Sequence, residues 1–341
     1  MALSQFVRRV TNRSRLLKPE GKFFGVNRSQ LQGVGYATLG VSLFSLSLPM
    51  THWALESYSP LFTATARAVI AGALAAIVLK IGGETLVPPG HIKEFIYTAL
   101  GAVFGWPILI ALALMKTQTA PVAVIASIMP LVTAVFAVTM GHERVPRQFW
   151  YASILGSAIL LVFTSTRSSF DMGDLVADLL TIGAVISSSF CYVQGAALTK
   201  IFSGWKVISW VVILCLPITL PVTLWIWFAR GGFAQPTTHA VIGMFYIGLS
   251  SMYIGFIPWY QGLKMVGSAR GSQVQQLQVF MTLGWSAILL GETISLTTLI
   301  CTLGIVFAVA WAIFSRSQSE ILKMRVGVGD REVRGGEVIR G

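Results

Sequence analysis

Arg67 lies ten residues past Ser57, inside an apolar run, 57–79, that holds no other charge. At 1.5 Å per helical residue this is about 15 Å deep, near the middle of a bilayer. A lone cation there costs several kcal/mol unless it meets a wet cavity, a carboxylate or exposed carbonyls. Two chemistries fit. Arg67 attracts an anionic group of a substrate, such as a carboxylate, or it ties two helices by bonding backbone carbonyls. A second constellation is Gln275, Gln278, Thr282 and Trp285, which share one helical face, with Gln273 and Gln276 flanking it. Amides and hydroxyls offer both donors and acceptors to a small polar molecule. Such a stripe is unfavourable against lipid and therefore faces inward. There it lines a cavity, or its glutamines bond only to other helices. The continuity of Gln275 and Gln278 with Thr282 points to the cavity.

Aromatic side chains at Trp106, Tyr253 and Trp259 join this candidate cavity, although interfacial belts account for most membrane aromatics. Trp106-Pro107 and Pro258-Trp259 pair a bulky ring with a helix kink at similar places in two parts of the chain, and Pro49 adds a third kink. No carboxylate lies mid-span. Glu56 and Asp178, near span ends, are the weak candidates for coupling to an ion, while Glu143 and Glu292 read as interface anchors. The four histidines stand apart, and Cys191, Cys215 and Cys301 are scattered, so no metal site is expected. There is no GxxxxGK[ST] loop for ATP and no hydrolytic constellation. Neither an enzyme nor a cofactor is indicated.

The elements that must position these residues follow from hydropathy. Hydrophobic residues make up 55% of the chain, charged ones 11%, and the mean hydropathy is +0.73. Ten apolar segments fill nearly everything between residues 33 and 314, each near the 20 or so residues that cross a bilayer. They run over 33–55, 58–80, 94–114, 119–140, 149–166, 175–199, 206–229, 240–262, 270–290 and 295–314. Ahead of them is a basic arm, 1–32, and behind them a Gly-rich charged tail, 315–341, expected to be disordered.

Residues 33–166 echo residues 175–314. Ala113-Leu114 answers Gly262-Leu263, Ala120 answers Ala269, and Glu143 answers Glu292, all at an offset of 149. Five spans per half is an odd number, so equivalent spans run in opposite directions. The expected fold is an all-α integral membrane protein of ten transmembrane helices, built as two five-helix inverted repeats with both termini cytoplasmic. In that orientation 21 of the 25 lysines and arginines lie on the cytoplasmic side. This bias sets the topology. The net charge of +12 then lies against anionic lipid, not nucleic acid. The cytoplasmic (inner) membrane of a bacterium is the simpler location than an organelle. A homodimer is compatible with all of this.

The segment Gly267-Ser268-Ala269-Arg270-Gly271-Ser272-Gln273-Val274-Gln275-Gln276-Leu277-Gln278, running to Leu290-Gly291-Glu292, resembles the drug/metabolite transporter superfamily. More narrowly it is similar to the ten-helix EamA-type permeases. The first half carries the matching Thr119-Ala120-Pro121, Pro130-Leu131, Gly141-His142-Glu143-Arg144 and Gly156, and an arginine in the second helix also fits. Val279 departs from the pattern, because many relatives have proline there. The resemblance implies a secondary transporter of small metabolites, often an exporter of amino acids or related compounds, with a central cavity between two halves. An exchanger of organic anions or phosphorylated metabolites would need several central cations, and only Arg67 is present. A non-transporting scaffold has no reason to keep amides at depth.

Overall fold

The computed structural model describes residues 22–23, 26–84, 87–141, 172–229, 235–266 and 268–308, with scattered residues between 151 and 163 and residue 311. His142, Glu143, Arg144, Arg167, Arg230, most of the fifth expected segment and the tail 315–341 lie outside the described residues. A two-residue antiparallel pair, Lys22–Phe23 with Val26–Asn27, stands within the expected arm. After it, every secondary-structure element among the described residues is a helix.

Among the described residues, seven helices are long and apolar enough to cross a membrane: Leu31–Leu55, Pro60–Gly82, Pro89–Leu114, Thr119–Met140, Met172–Leu198, Gly204–Ala229 and Thr238–Val266. They coincide with the expected first to fourth and sixth to eighth spans. Two shorter apolar helices, Val274–Leu290 and Leu296–Ala308, fall on the ninth and tenth. Local chemistry sets the ends. Before the second span, the Ser59 hydroxyl accepts from the Phe62 amide at 3.4 Å, and Pro60 opens the first turn. Gly83 closes that span at φ +70°, a conformation that favours glycine.

Prolines shape the spans internally. A proline has no N–H for the carbonyl four residues back and clashes with it. In the first span Pro49 releases the Ser45 carbonyl, and the helix breaks at Leu46 between Arg28–Ser45 and Ser47–Leu55. In the fourth, Pro130 releases Ala126, and Thr119–Ala126 is separated from Met129–Gly141 by Ser127-Ile128. In the third and eighth, the released carbonyls of Val103 and Ile254 belong to π-helical turns, Leu100–Gly105 and Ile247–Ile254. The ninth helix, Ser268–Leu290, is unbroken, with Val279 at the position corresponding to Pro130. The absent proline explains the difference.

Packing pairs the second span with the seventh, the first with the eighth, the third with the sixth, and the fourth with the ninth. The first also packs on the ninth and the sixth on the fourth. Moving every span five places along turns this set of pairs into itself. Small residues allow the close contacts. Ala64, Ala68, Ala71, Gly72 and Ala75 are buried along the second span, and Gly72 abuts Leu216 of the seventh. The four-residue spacing of Ala64, Ala68, Gly72 and Ala76 predicts a close-packing ridge through all four, and of these Ala76 is exposed. The outside is apolar: Leu112, Ile186, Ile218, Trp225, Phe228, Ile288 and Phe307 are all exposed, as a lipid-facing surface requires.

Candidate functional site

A narrow recess with a cavity volume of about 20 Å³, room for about one water molecule, lies midway along the fourth and ninth spans. Its walls are Leu48 of the first span, Trp106 of the third, Ala123, Ala126, Met129 and Pro130 of the fourth, and Gln275, Gln278, Val279 and Thr282 of the ninth. The break at Ser127-Ile128 lies at its edge, so the walls include both sides of an interrupted helix. No ionised side chain is among them. The lining is mostly apolar with three polar groups, the usual make-up of a small-molecule site.

Four of the expected site residues meet here: Trp106, Gln275, Gln278 and Thr282. Two of these have fixed partners. The Thr282 hydroxyl donates to the Ser45 carbonyl at 2.8 Å, the group that Pro49 leaves free. One residue-turn along, the Trp285 indole N–H donates to the Ser45 hydroxyl at 3.1 Å. The broken first span is thereby sewn to the ninth. Gln275 Nε2 lies 3.6 Å from the Met129 sulfur, while Gln275 Oε1 is buried without a partner. A thioether sulfur only accepts, so the amide presents its nitrogen to Met129 and its oxygen elsewhere. Gln276, next to it, is buried with neither amide atom partnered.

Arg67, Tyr253 and Trp259 do not line the recess. Arg67 is 3% exposed and donates from Nη2 to the Ser251 hydroxyl at 3.1 Å, and Ser251 donates on to the Ser47 hydroxyl at 2.8 Å. Its Nε is buried without a partner, and among the described residues no carboxylate forms an ion pair with it. Arg67 thus ties the second, eighth and first spans together, just beyond the break that Thr282 holds from the other side. Tyr253 shares a 2.6 Å hydrogen bond with Ser209. Trp259 is packed among Phe44 and Tyr192, at centroid distances of 6.3 and 5.5 Å. Both belong to the aromatic core of the first, sixth, seventh and eighth spans.

The carboxylates lie elsewhere. Glu56 accepts from the Thr237 hydroxyl at 2.8 Å, with His239 Nδ1 3.8 Å from its other oxygen, so it joins the first interspan turn to the start of the eighth span. Asp178 is buried on the sixth span. Glu292 receives the backbone N–H groups of Thr119 and Ala120 at 2.7 and 2.8 Å. These are first-turn donors with no partner inside the helix, and a carboxylate there also complements the helix dipole. Glu292→Ala is expected to lower the melting temperature of the purified protein, through a loss of about 1–3 kcal/mol for two stranded amides. An unchanged melting curve would remove this role. Among the described residues no three His, Cys, Asp or Glu side chains come together as a metal site.

Sequence reasoning missed Met129, Ala123, Ala126 and Leu48 as wall residues, since each is an ordinary apolar residue. Pro130 was a usable signal: proline at mid-span marks a helix break. Ser45, Ser47 and Ser251 carried none.

The sequence pattern of the EamA-like transporter family matches the chain twice, over residues 31–165 and 175–314. The chain belongs to the EamA-like transporter family. A Bacillus subtilis (strain 168) protein called the uncharacterized transporter YdeK is 33% identical over 276 residues, covering 80% of this chain and 94% of the relative. One crystal structure of a protein with 17% sequence identity shares the fold, at a TM-score of 0.59 over 83% of this chain and 97% of that one. As an EamA-like transporter, the chain is a multi-pass membrane protein. Its recess has the fourth span, from the first match, facing the ninth, from the second.

Proposed function

We propose that this EamA-like protein is a secondary transporter that exports a small metabolite, an amino acid or related compound, across the cytoplasmic membrane by alternating access. The recess between the fourth and ninth spans carries this reading. It lies at mid-depth, draws its walls from both family matches, and includes Gln275, whose buried Oε1 no protein group satisfies. A buried amide without a partner costs about 1–3 kcal/mol. A substrate that hydrogen-bonds there removes that cost. The unchanged set of packing pairs on exchanging the halves supports an inverted duplication of ten spans with both ends cytoplasmic. The direction follows the family resemblance. Phosphate-bearing substrates fit poorly, because no cation lines the recess.

Counterflow in proteoliposomes tests this. Vesicles preloaded with unlabelled leucine should accumulate labelled leucine, or another member of a panel of common amino acids. Gln278→Leu, inserted in normal amount, should change the order of preference within the panel, because it removes a polar group from the recess wall. Absence of counterflow across the panel by folded protein sinks the reading. So does a carboxyl-terminal reporter that works only outside the cell.

A further inference from the structure

The fourth span consists of two half-helices that meet at the recess. Thr119–Ala126 ends there, and Pro130 deprives the Ala126 carbonyl of its helical donor. The last carbonyls of a helix lack partners inside it and give that end partial negative charge. The opposite end of the same half-helix is held by the Glu292 carboxylate. The ninth span is unbroken, with Val279 where the fourth has Pro130, so of these two spans only the fourth offers such an end.

Across the recess the ninth span presents oxygens. Gln275, 4% exposed, has Nε2 against the Met129 sulfur and leaves Oε1 buried and unpartnered. Thr282, 2% exposed, gives its hydroxyl hydrogen to the Ser45 carbonyl and keeps lone pairs. Gln275 retains a second N–H, so these walls are not purely accepting. An ion needs less than that: oxygens from both walls around one narrow space.

Size and charge then select the occupant. About 20 Å³ admits a single water-sized particle. Oxygen ligands suit hard cations, but a divalent ion takes carboxylates, and no ionised side chain lines the recess. None of the wall side chains titrates, so a proton is not carried here. Freed carbonyls and half-helix C-terminal ends can hold a sodium ion inside a membrane without a formal negative charge.

We infer that the recess is a site for one sodium ion, held by Gln275 Oε1, the Thr282 oxygen and the Ala126 carbonyl. Resting on the transport reading above, this makes sodium the coupling ion. The ion bonds to both matched halves, through Ala126 in the first and Gln275 and Thr282 in the second. Its binding favours the arrangement in which these walls stand together, and its release favours their parting. Coupling to a gradient requires that difference.

Melting curves of the protein in nanodiscs test the site, in sodium, potassium or choline chloride at equal ionic strength. Sodium should raise the melting temperature over choline in a saturable way. Potassium, the larger ion, should need at least about tenfold more for the same shift. Gln275→Leu should melt cooperatively and lose the sodium shift. Gln275→Glu, in alkaline buffer, should reach the shift at lower sodium, a gain that a misfolded variant cannot produce. Equal melting in all three salts would mean that the recess holds water only, and would overturn the site. So would a full sodium shift in Gln275→Leu or a weakened one in Gln275→Glu. Flux tests the coupling. An inward sodium gradient should speed efflux of the preloaded amino acid from proteoliposomes, and an equal potassium gradient should not. A sodium shift with flux that ignores the gradient overturns the coupling role. A sodium shift with no flux at all removes the transport reading and leaves the ion site standing.

Discussion

Gly101→Val is expected to abolish stable protein. Gly101 lies in the π-helical turn of the third span, pressed against the sixth. A Cβ built there would come within 2.3 Å of the Ser187 carbonyl oxygen and 2.5 Å of the Cys191 Cβ. Both are closer than atoms tolerate, and the first is backbone, which cannot rotate aside. Even alanine forces the two helices apart, and overpacking of this kind costs about 1–3 kcal/mol. Valine adds two methyl groups to the same space. The variant should therefore aggregate on solubilisation, read as loss of the monodisperse peak in size-exclusion chromatography. Gly105→Ala meets mainly the Ser187 side chain, with the hydroxyl at 1.8 Å and its Cβ at 2.6 Å, and should be the milder of the two. Gly35→Ala is the control, since nothing lies within 4 Å of its Cβ position. A Gly101→Val protein with a normal melting temperature would show that this contact is not as close as drawn. The first and eighth spans meet in the same manner: a Cβ added at Gly243 would come within 2.4 Å of the Met50 carbonyl oxygen, and one at Gly262 within 2.6 Å of the Ala37 amide nitrogen.

How far these features could be read beforehand depends on whether their cause is local. The second span was legible because its stop signal is: Gly82-Gly83 ends the helix wherever the span packs. The Gln275–Thr282 face was legible because amides at helical spacing inside an apolar segment must avoid lipid. Break positions were half legible. Pro107 and Pro258 announce a disturbance, but whether it becomes a kink or a π-helical turn depends on the neighbouring helix. Ser187 and Phe44, which pack on those turns, are remote in sequence. The ridge through Ala76 failed for a geometric reason. Each four-residue step overshoots a full turn by about 40°, so the row from Ala64 drifts about 120° by Ala76, and Ala75 faces inward instead. Glu292 could not be assigned from sequence because its partners, Thr119 and Ala120, belong to the other half. The same holds for Arg67. Sequence showed that its charge needed an answer at depth. It could not show that the answer is a serine 184 residues away.

That answer makes Arg67→Met the most informative single change. A guanidinium at mid-bilayer costs about 2.5–3.5 kcal/mol on insertion scales. Here it has a neutral hydroxyl for a partner, a buried Nε with none, and no carboxylate among the described residues. Replacing such a group by an apolar side chain of similar length removes the desolvation penalty, while Ser251 and Ser47 keep each other as partners. The purified variant is expected to be more stable, by about 1–3 kcal/mol, and to melt higher. Transport should fall in the opposite sense. Thr282 holds the Ser45 side of the break in the first span, and the Ser251–Ser47 link, set by Arg67, holds the other. If the two halves rock about the recess, that break is where the first span bends, and Arg67 fixes one arm of the bend. Arg67→Met should then reduce leucine counterflow by tenfold or more at normal membrane abundance. Arg67→Lys keeps the charge but loses the planar fork, and should recover part of the flux without the gain in stability. A methionine variant that melts lower and disappears from the membrane would make Arg67 a structural tie and nothing else. One that melts higher and transports normally would leave its charge without a role in the cycle.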